Sequence, residues 1–475
     1  MSQVENNSLH ELPPSDGGGP ELGGDHLDTA FETLDVRQDA WKKRALVLFG
    51  ASVSQLPIWG FSMSYGVFQE YYMTHWTLDG SSSVTGIIGT TSNGVLYLSM
   101  PLLFAMFTRR WAKYRQIAAV TGAVLASLSF IISSFSTSVS HLVATQGVLS
   151  ALGCALVYSP TTLSLGEWFS SDVGNGKNSR AVAYGVTLSC KNIVGSTMPF
   201  LARALLSAYG FRIALRVWAA LLLGTALLSI FLIPTPHSSL AVPSADPEHE
   251  QGRRNRKIPW SFLRHRTFYI CSIAIALQSA GYGLPQSYLP TYATEVTRLP
   301  QTSATLLLTV FNVPGILASF SFGYLSDNKH FSISATTIAA ISALCSSLAT
   351  FLFWGLTSQG SLALLLLFSG TFGFFAGGYS AIWGGWINEL ESEAARWNEA
   401  IDPGMVYGLM NGARGIGYVS GGLVSIPLLK AGLGTRIGAL GYSSTYGPLI
   451  VFTGLSTILG GCGAVWKGLT RLRGR

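Results

Sequence analysis

Gly323-Tyr324-Leu325-Ser326-Asp327 closes an apolar run that opens near residue 302. A carboxylate within lipid is costly, so Asp327 is expected at the membrane surface, where it can grip a neighbouring helix end. Working outward from it, the chain after residue 44 is almost entirely apolar stretches joined by short polar turns. About 20 apolar residues suffice to cross a bilayer. Charged residues make up 11% of the chain and mean hydropathy is +0.38, against about 25% charged residues in soluble domains. The hydropathy therefore overrides the roughly three soluble domains that 475 residues would otherwise suggest.

Twelve candidate spans are expected at about 45–69, 84–107, 116–136, 141–166, 180–207, 212–233, 268–292, 302–326, 332–355, 361–386, 404–429 and 446–467. The predicted fold is an all-α integral membrane protein with twelve transmembrane helices in two six-helix halves, 45–233 and 268–467. Segment 234–267 reads as a polar, basic cytosolic loop between them. Residues 1–44 read as a disordered cytosolic tail with no signal peptide, and 468–475 as a basic cytosolic tail.

Charge sets the expected orientation. The net charge of +7 hides an asymmetry: the first 40 residues hold nine acidic residues and one basic one, leaving 14 acidic and 29 basic for the rest. With both termini inside, 22 of the 30 Lys and Arg residues fall in inner segments. The outer loops hold only Arg298, Lys430 and Arg436. That is the bias inner-face loops require, and it points to lipid rather than nucleic acid as the partner. The five cysteines all lie in apolar segments and read as small buried hydrophobes. There is no P-loop and no His-Glu-x-x-His. Gly412-Ala413-Arg414-Gly415-Ile416-Gly417 lies inside an apolar span with no preceding strand, so it is not a nucleotide fingerprint. No enzyme activity and no cofactor are expected.

Lys191 lies roughly 16 Å into the fifth span at 1.5 Å per residue, and Arg414 lies similarly deep in the eleventh. A charge at that depth faces a polar cavity or a partner. Either these residues form a cationic site for an anionic substrate group, or Arg414 caps carbonyls of a Gly-rich helix and Lys191 snorkels. No mid-span Asp or Glu stands out, so no buried ion pair is expected. Polar and aromatic residues cluster in the first and seventh spans: Trp59, Tyr65 and Gln69, then Gln278, Tyr282, Gln286 and Tyr288. With Asn312 of the eighth, Tyr65 and Gln278 are candidate pocket-lining residues; belt positions and interhelical hydrogen bonds are the alternative. Gly404, Gly408 and Gly412 share one helix face and suit close helix packing, as do Gly373, Gly377 and Gly378.

These residues resemble the major facilitator superfamily and, within it, the fungal branch of the monocarboxylate-porter family. Gly323 to Asp327 is similar to the superfamily's inner-face Gly-x-Leu-x-Asp motif, which implies a gating role for Gly323 and Asp327. Arg109 and Arg110 occupy the matching turn of the first half, without its acidic residue. Trp168-Phe169 followed by Arg180-Ala181-Val182-Ala183-Tyr184-Gly185-Val186, with Gly195 and Pro199, resembles the porter family's fifth-span signature. Tyr209-Gly210-Phe211-Arg212 with Arg216 fits the entry to the sixth span. Asp402-Pro403-Gly404-Met405-Val406-Tyr407-Gly408, then Gly412 to Gly417 and Tyr446-Gly447-Pro448-Leu449-Ile450, looks like the fungal branch's last two spans.

The chain departs from the proton-coupled lactate carriers. The first span has Ser62-Met63-Ser64 without their lysine. The eighth has Asn312, Gly315 and Ser319 without their Asp/Arg pair. The run Asp172 to Asn178 separates Trp168-Phe169 from Arg180. Lactate–proton symport is not expected.

The resemblance implies a monomeric secondary transporter working by alternating access in the cell membrane, with vacuolar or vesicle membranes left open. Proton-gradient coupling is implied by the superfamily alone. Export of a small acidic or amphipathic metabolite is the leading expectation. Uptake of a monocarboxylate or vitamin-like nutrient is the alternative, and a non-transporting sensor is the alternative of another class.

Overall fold

The computed structural model describes residues 41–75, 79, 85–108, 111–169, 180–234, 260–327, 333–433 and 440–473. Arg109, Arg110, the run Asp172 to Asn178 and most of the tail and central loop lie outside the described residues, as does the side chain of Asp327. The chain divides into a unit of Met1–Ala45 and one of Leu46–Arg475. The description below concerns the second.

Its helices are α1 Gln55–Thr74, α2 Gly86–Thr108, α3 Arg115–Ser133 and α4 Ser150–Trp168. The helical run Arg180–Leu232 contains two helices, α5 (180–209) and α6 (211–232). After the central segment come α7 Arg266–Glu295, α8 Gln301–Asp327, α9 Ala335–Ala349 and α10 Leu362–Gly378. A further helix, Trp383–Arg396, prolongs α10. Then follow α11 Pro403–Gly432 and α12 Gly447–Leu459, the latter prolonged by Cys462–Arg473. Helices before residue 235 form the first half and those after residue 259 the second.

Ten helical runs among the described residues are long and apolar enough to cross a bilayer. One of them contains both α5 and α6. The break is at Gly210, whose φ of 72° and ψ of 173° suit only a residue without a Cβ. The α11 helix falls outside the ten, since its glycines and Asn411, Arg414 and Ser420 dilute its hydropathy.

Burial is reversed relative to a soluble domain. Leu102, Phe231, Leu317 and Leu423 are largely exposed, as lipid contact requires, while Glu70, Lys191, Asn312 and Arg414 are buried. Many buried hydroxyls bond back to the preceding turn, as Thr350 does to Ser346 and Thr453 to Leu449, so they need no partner helix.

Two seams join the halves, α2 with α11 and α5 with α8. Along the first, a Cβ at Gly412 would meet Pro101 Cγ at 2.5 Å, and one at Gly408 would meet Phe104 Cβ at 2.8 Å. Those glycines therefore let two helix backbones approach closely. The second seam is polar. Ser189 Oγ donates to the Ile316 carbonyl (2.8 Å), Asn192 Nδ2 to Ser319 Oγ (3.0 Å), Thr309 Oγ1 to the Ser196 carbonyl (2.9 Å) and Asn312 Nδ2 to the Gly195 carbonyl (3.1 Å).

Candidate functional site

Lys191 and Arg414 approach the bundle centre from opposite halves, on α5 and α11. Both are buried, at 6% and 4% exposure. Lys191 Nζ sits 4.5 Å over the ring of Trp59 on α1. Arg414 Cζ lies among four rings: Tyr97 at 5.2 Å, Tyr282 and Trp383 at 5.4 Å, and Tyr418 at 5.7 Å. Trp59 packs on Tyr97 at 5.1 Å, so the surroundings of the two cations are continuous. Tyr418 follows Arg414 by four residues, which puts both on one face of α11.

Among the described residues, no carboxylate lies within ion-pair distance of either cation. Arg414 Nε, Trp59 Nε1 and Trp383 Nε1 are buried donors without an acceptor. Cation–π contacts contribute about 0.5–2 kcal/mol each, while burying an ion costs several kcal/mol. The rings offset much of the guanidinium's desolvation, and the Tyr418 hydroxyl accepts one of its hydrogen bonds, but Nε is left without an acceptor. What the centre lacks is an acceptor-rich, negatively charged group.

Tyrosines and bridges between the halves close the seams on either side. Towards Asp402, Tyr184 of α5 stacks on Tyr407 of α11 (5.0 Å, 13°), and the Tyr158 and Tyr407 hydroxyls lie 3.3 Å apart. Each of Tyr184 and Tyr407 is seven residues, about 10 Å of helix, from its half's central cation. Beyond them Arg180 reaches Glu391 of the other half at 3.6 Å. A cavity of about 200 Å³ opens there, lined by Glu167, Arg180, Tyr184 and Asp402 among others. At the opposite end, Arg203 of α5 pairs with Glu70 of α1 and donates through Nε to Thr305 Oγ1 of α8 at 3.0 Å. Glu70 is 1% exposed and its Oε1 has no hydrogen-bond partner.

The Glu70–Arg203 pair corrects the expectation that no buried ion pair exists. Glu70 falls just beyond the expected end of span one at residue 69, whereas α1 runs on to Thr74 and carries it into the bundle. A second pair holds the first half together. Arg115, at the start of α3, donates twice to Glu167 of α4 at 2.7 Å and once to the Phe107 carbonyl of α2 at 2.8 Å.

The other candidates fall elsewhere. Tyr65 donates to the Thr85 carbonyl within the first half. Gln278 packs beside Gly460 at the end of α12, with its Nε2 lacking an acceptor. Asn312 is a pin in the α5–α8 seam, bonded to Gly195 and Leu308 carbonyls. Gly323 is buried near the end of α8. The aromatic partners Tyr97, Tyr158, Trp383, Tyr407 and Tyr418 were not singled out from sequence as site residues. Only Tyr407 and Tyr418, seven before and four after Arg414, carried a signal.

The sequence model of the Major Facilitator Superfamily matches residues 47–422. An "MFS-type transporter" of Gibberella moniliformis is 28% identical over 67% of this chain and 70% of that protein. "MFS-type transporter pynF" of Aspergillus niger is 22% identical over 84% of this chain and 83% of its own length. Human "Monocarboxylate transporter 12" is 27% identical over 56% of this chain. That match spans about half of the human protein, 54%.

Proposed function

The chain belongs to the Major Facilitator Superfamily and is a membrane transporter, not an enzyme, and from that premise we propose that it carries a small organic anion by alternating access around Lys191 and Arg414. One observation carries this reading: two buried cations, one from each half, share an aromatic enclosure with no carboxylate in ion-pair range among the described residues. A ligand that bridges them is bound by both halves at once. Rocking one half against the other then changes the side to which the ligand is released.

In the proposed topology, division at Gly210 and inclusion of α11 raise the ten apolar runs to twelve spans. Both termini lie inside, in keeping with the Lys and Arg bias. The Asp402 end is then the inner gate, with Tyr158, Tyr184, Tyr407 and the Arg180–Glu391 pair. Glu70, Arg203 and Thr305 form the outer gate. Gating at the inner face is assigned to Asp327, Gly323, Arg109 and Arg110 on the sequence resemblance alone.

Export of an acidic or amphipathic metabolite is the preferred direction. The absence of the lactate carriers' charged residues from the first and eighth spans supports it. The names of the monocarboxylate transporter 12 relatives favour the second reading, uptake of a monocarboxylate. Deleting the gene and profiling small molecules in cells and medium separates the two. A compound that accumulates inside and falls outside supports export. Slower depletion of a nutrient acid, with an unchanged export profile, supports uptake.

A further inference from the structure

A second cavity, of about 150 Å³, lies at one end of the second half, between the start of α7, α9, Trp386 and the end of α12. It belongs to neither seam. Its rim carries Arg266 and Lys467, and its floor is small or apolar: Ile270, Ala274, Ala339 and Gly460. Trp386, 2% exposed, is one of its lining residues, and the indole Nε1–H of that residue is buried without an acceptor. Arg266 and Thr267 open α7, so the partial positive charge of that helix's first turn lies at the cavity. Lys467 Nζ donates to Glu389 at 2.6 Å.

The cavity combines a cationic rim, a buried unpaired donor and a helix N-terminus above an apolar floor, at the end of membrane-embedded helices. We infer that it binds the phosphate-bearing headgroup of an anionic glycerophospholipid. The phosphate sits between Arg266 and Lys467 and accepts from Trp386. Its volume holds the phosphate and glycerol but not the tails. These lie outside, along the exposed Ile273 of α7 and Val465 beyond α12. Basic pockets between membrane helices bind such headgroups. The inference concerns a site other than the Lys191–Arg414 centre and does not rest on the proposed transport reading.

The test is native mass spectrometry of the full-length protein, delipidated in detergent. It is incubated with dioleoyl phosphatidylserine, dioleoyl phosphatidylinositol or dioleoyl phosphatidylcholine, each with and without glycerol phosphate. The expected result is one retained anionic lipid at occupancy at least tenfold above phosphatidylcholine. Arg266→Ala and Trp386→Phe should each reduce that preference severalfold, and glycerol phosphate should not compete at equal concentration. Equal retention of the three lipids overturns the proposal, as does unchanged preference in Arg266→Ala. Glycerol phosphate binding as tightly as the lipid would identify a soluble phosphate ligand and overturn the assignment to lipid. Arg266 is exposed, so its variant keeps the test sound if Trp386→Phe fails to fold.

Discussion

Replacing Arg414 by Met separates a ligand-binding cation from a structural one. Met has three rotatable bonds and a thioether that packs well against rings, so it suits the space among Tyr97, Tyr282, Trp383 and Tyr418. In the empty protein the substitution removes a buried guanidinium that has no carboxylate beside it among the described residues. It loses the hydrogen bond to Tyr418 and up to four cation–π contacts of about 0.5–2 kcal/mol each, and it relieves a desolvation cost of several kcal/mol. The two nearly cancel, so the unfolding midpoint should move by no more than a few degrees.

Binding of an acid should respond very differently. A charge-assisted hydrogen bond is worth about 1.5–3 kcal/mol net, and two from the guanidinium fork come to about 3–6 kcal/mol. At 1.4 kcal/mol per tenfold, the Kd of an organic acid should rise at least about 100-fold. A neutral ester or amide of the same acid should shift about threefold or less. The assay is ligand-induced thermal shift on purified protein, using acids that stabilise the wild type, followed by counterflow in proteoliposomes. Equal losses for acid and ester, or a folded state that collapses without Arg414, would refute the reasoning.

Three further outcomes are expected. Glu70→Gln should lower stability by about 3–5 kcal/mol, because the largely buried Arg203 is left without its counter-charge, and Glu70→Gln combined with Arg203→Met should recover most of it, as thermal melts of the two variants will reveal. Gly412→Leu should force α11 away from Pro101, separating the α2–α11 seam, so a cysteine placed at Gly408 should react with a water-soluble maleimide at least tenfold faster than without the leucine. Asp327→Asn should slow turnover severalfold in proteoliposomes while expression and insertion stay normal; unchanged rates would remove Asp327 from the gate.

Much of the fold was legible because lipid imposes a length rule that sequence cannot disguise. Hydropathy placed the apolar runs. It also gave depth along each helix, so Lys191 and Arg414 stood out as deep charges before any coordinates. What it could not give is direction around each helix. In a soluble domain the apolar stripe faces inward, whereas here lipid and core are both apolar and periodicity loses that meaning. Tyr65 and Gln278 are as aromatic or polar as Tyr97 and Tyr418, yet packing turns the first pair to neighbours within their own halves.

Partners distant in sequence were equally hidden. Glu70 and Arg203 are separated by 133 residues, and a helix five residues longer than drawn was needed to bring the carboxylate indoors. Asn312 reads as a pocket residue until the Gly195 carbonyl of the other half appears beside it. The sequence by itself determined the membrane class, the apolar helical runs and the place of the charges along them, because transfer energy into lipid is a local property of residues. Only the tertiary structure decided which rings enclose the two cations and which bridges close the halves, because those depend on helix rotation and on contacts between segments.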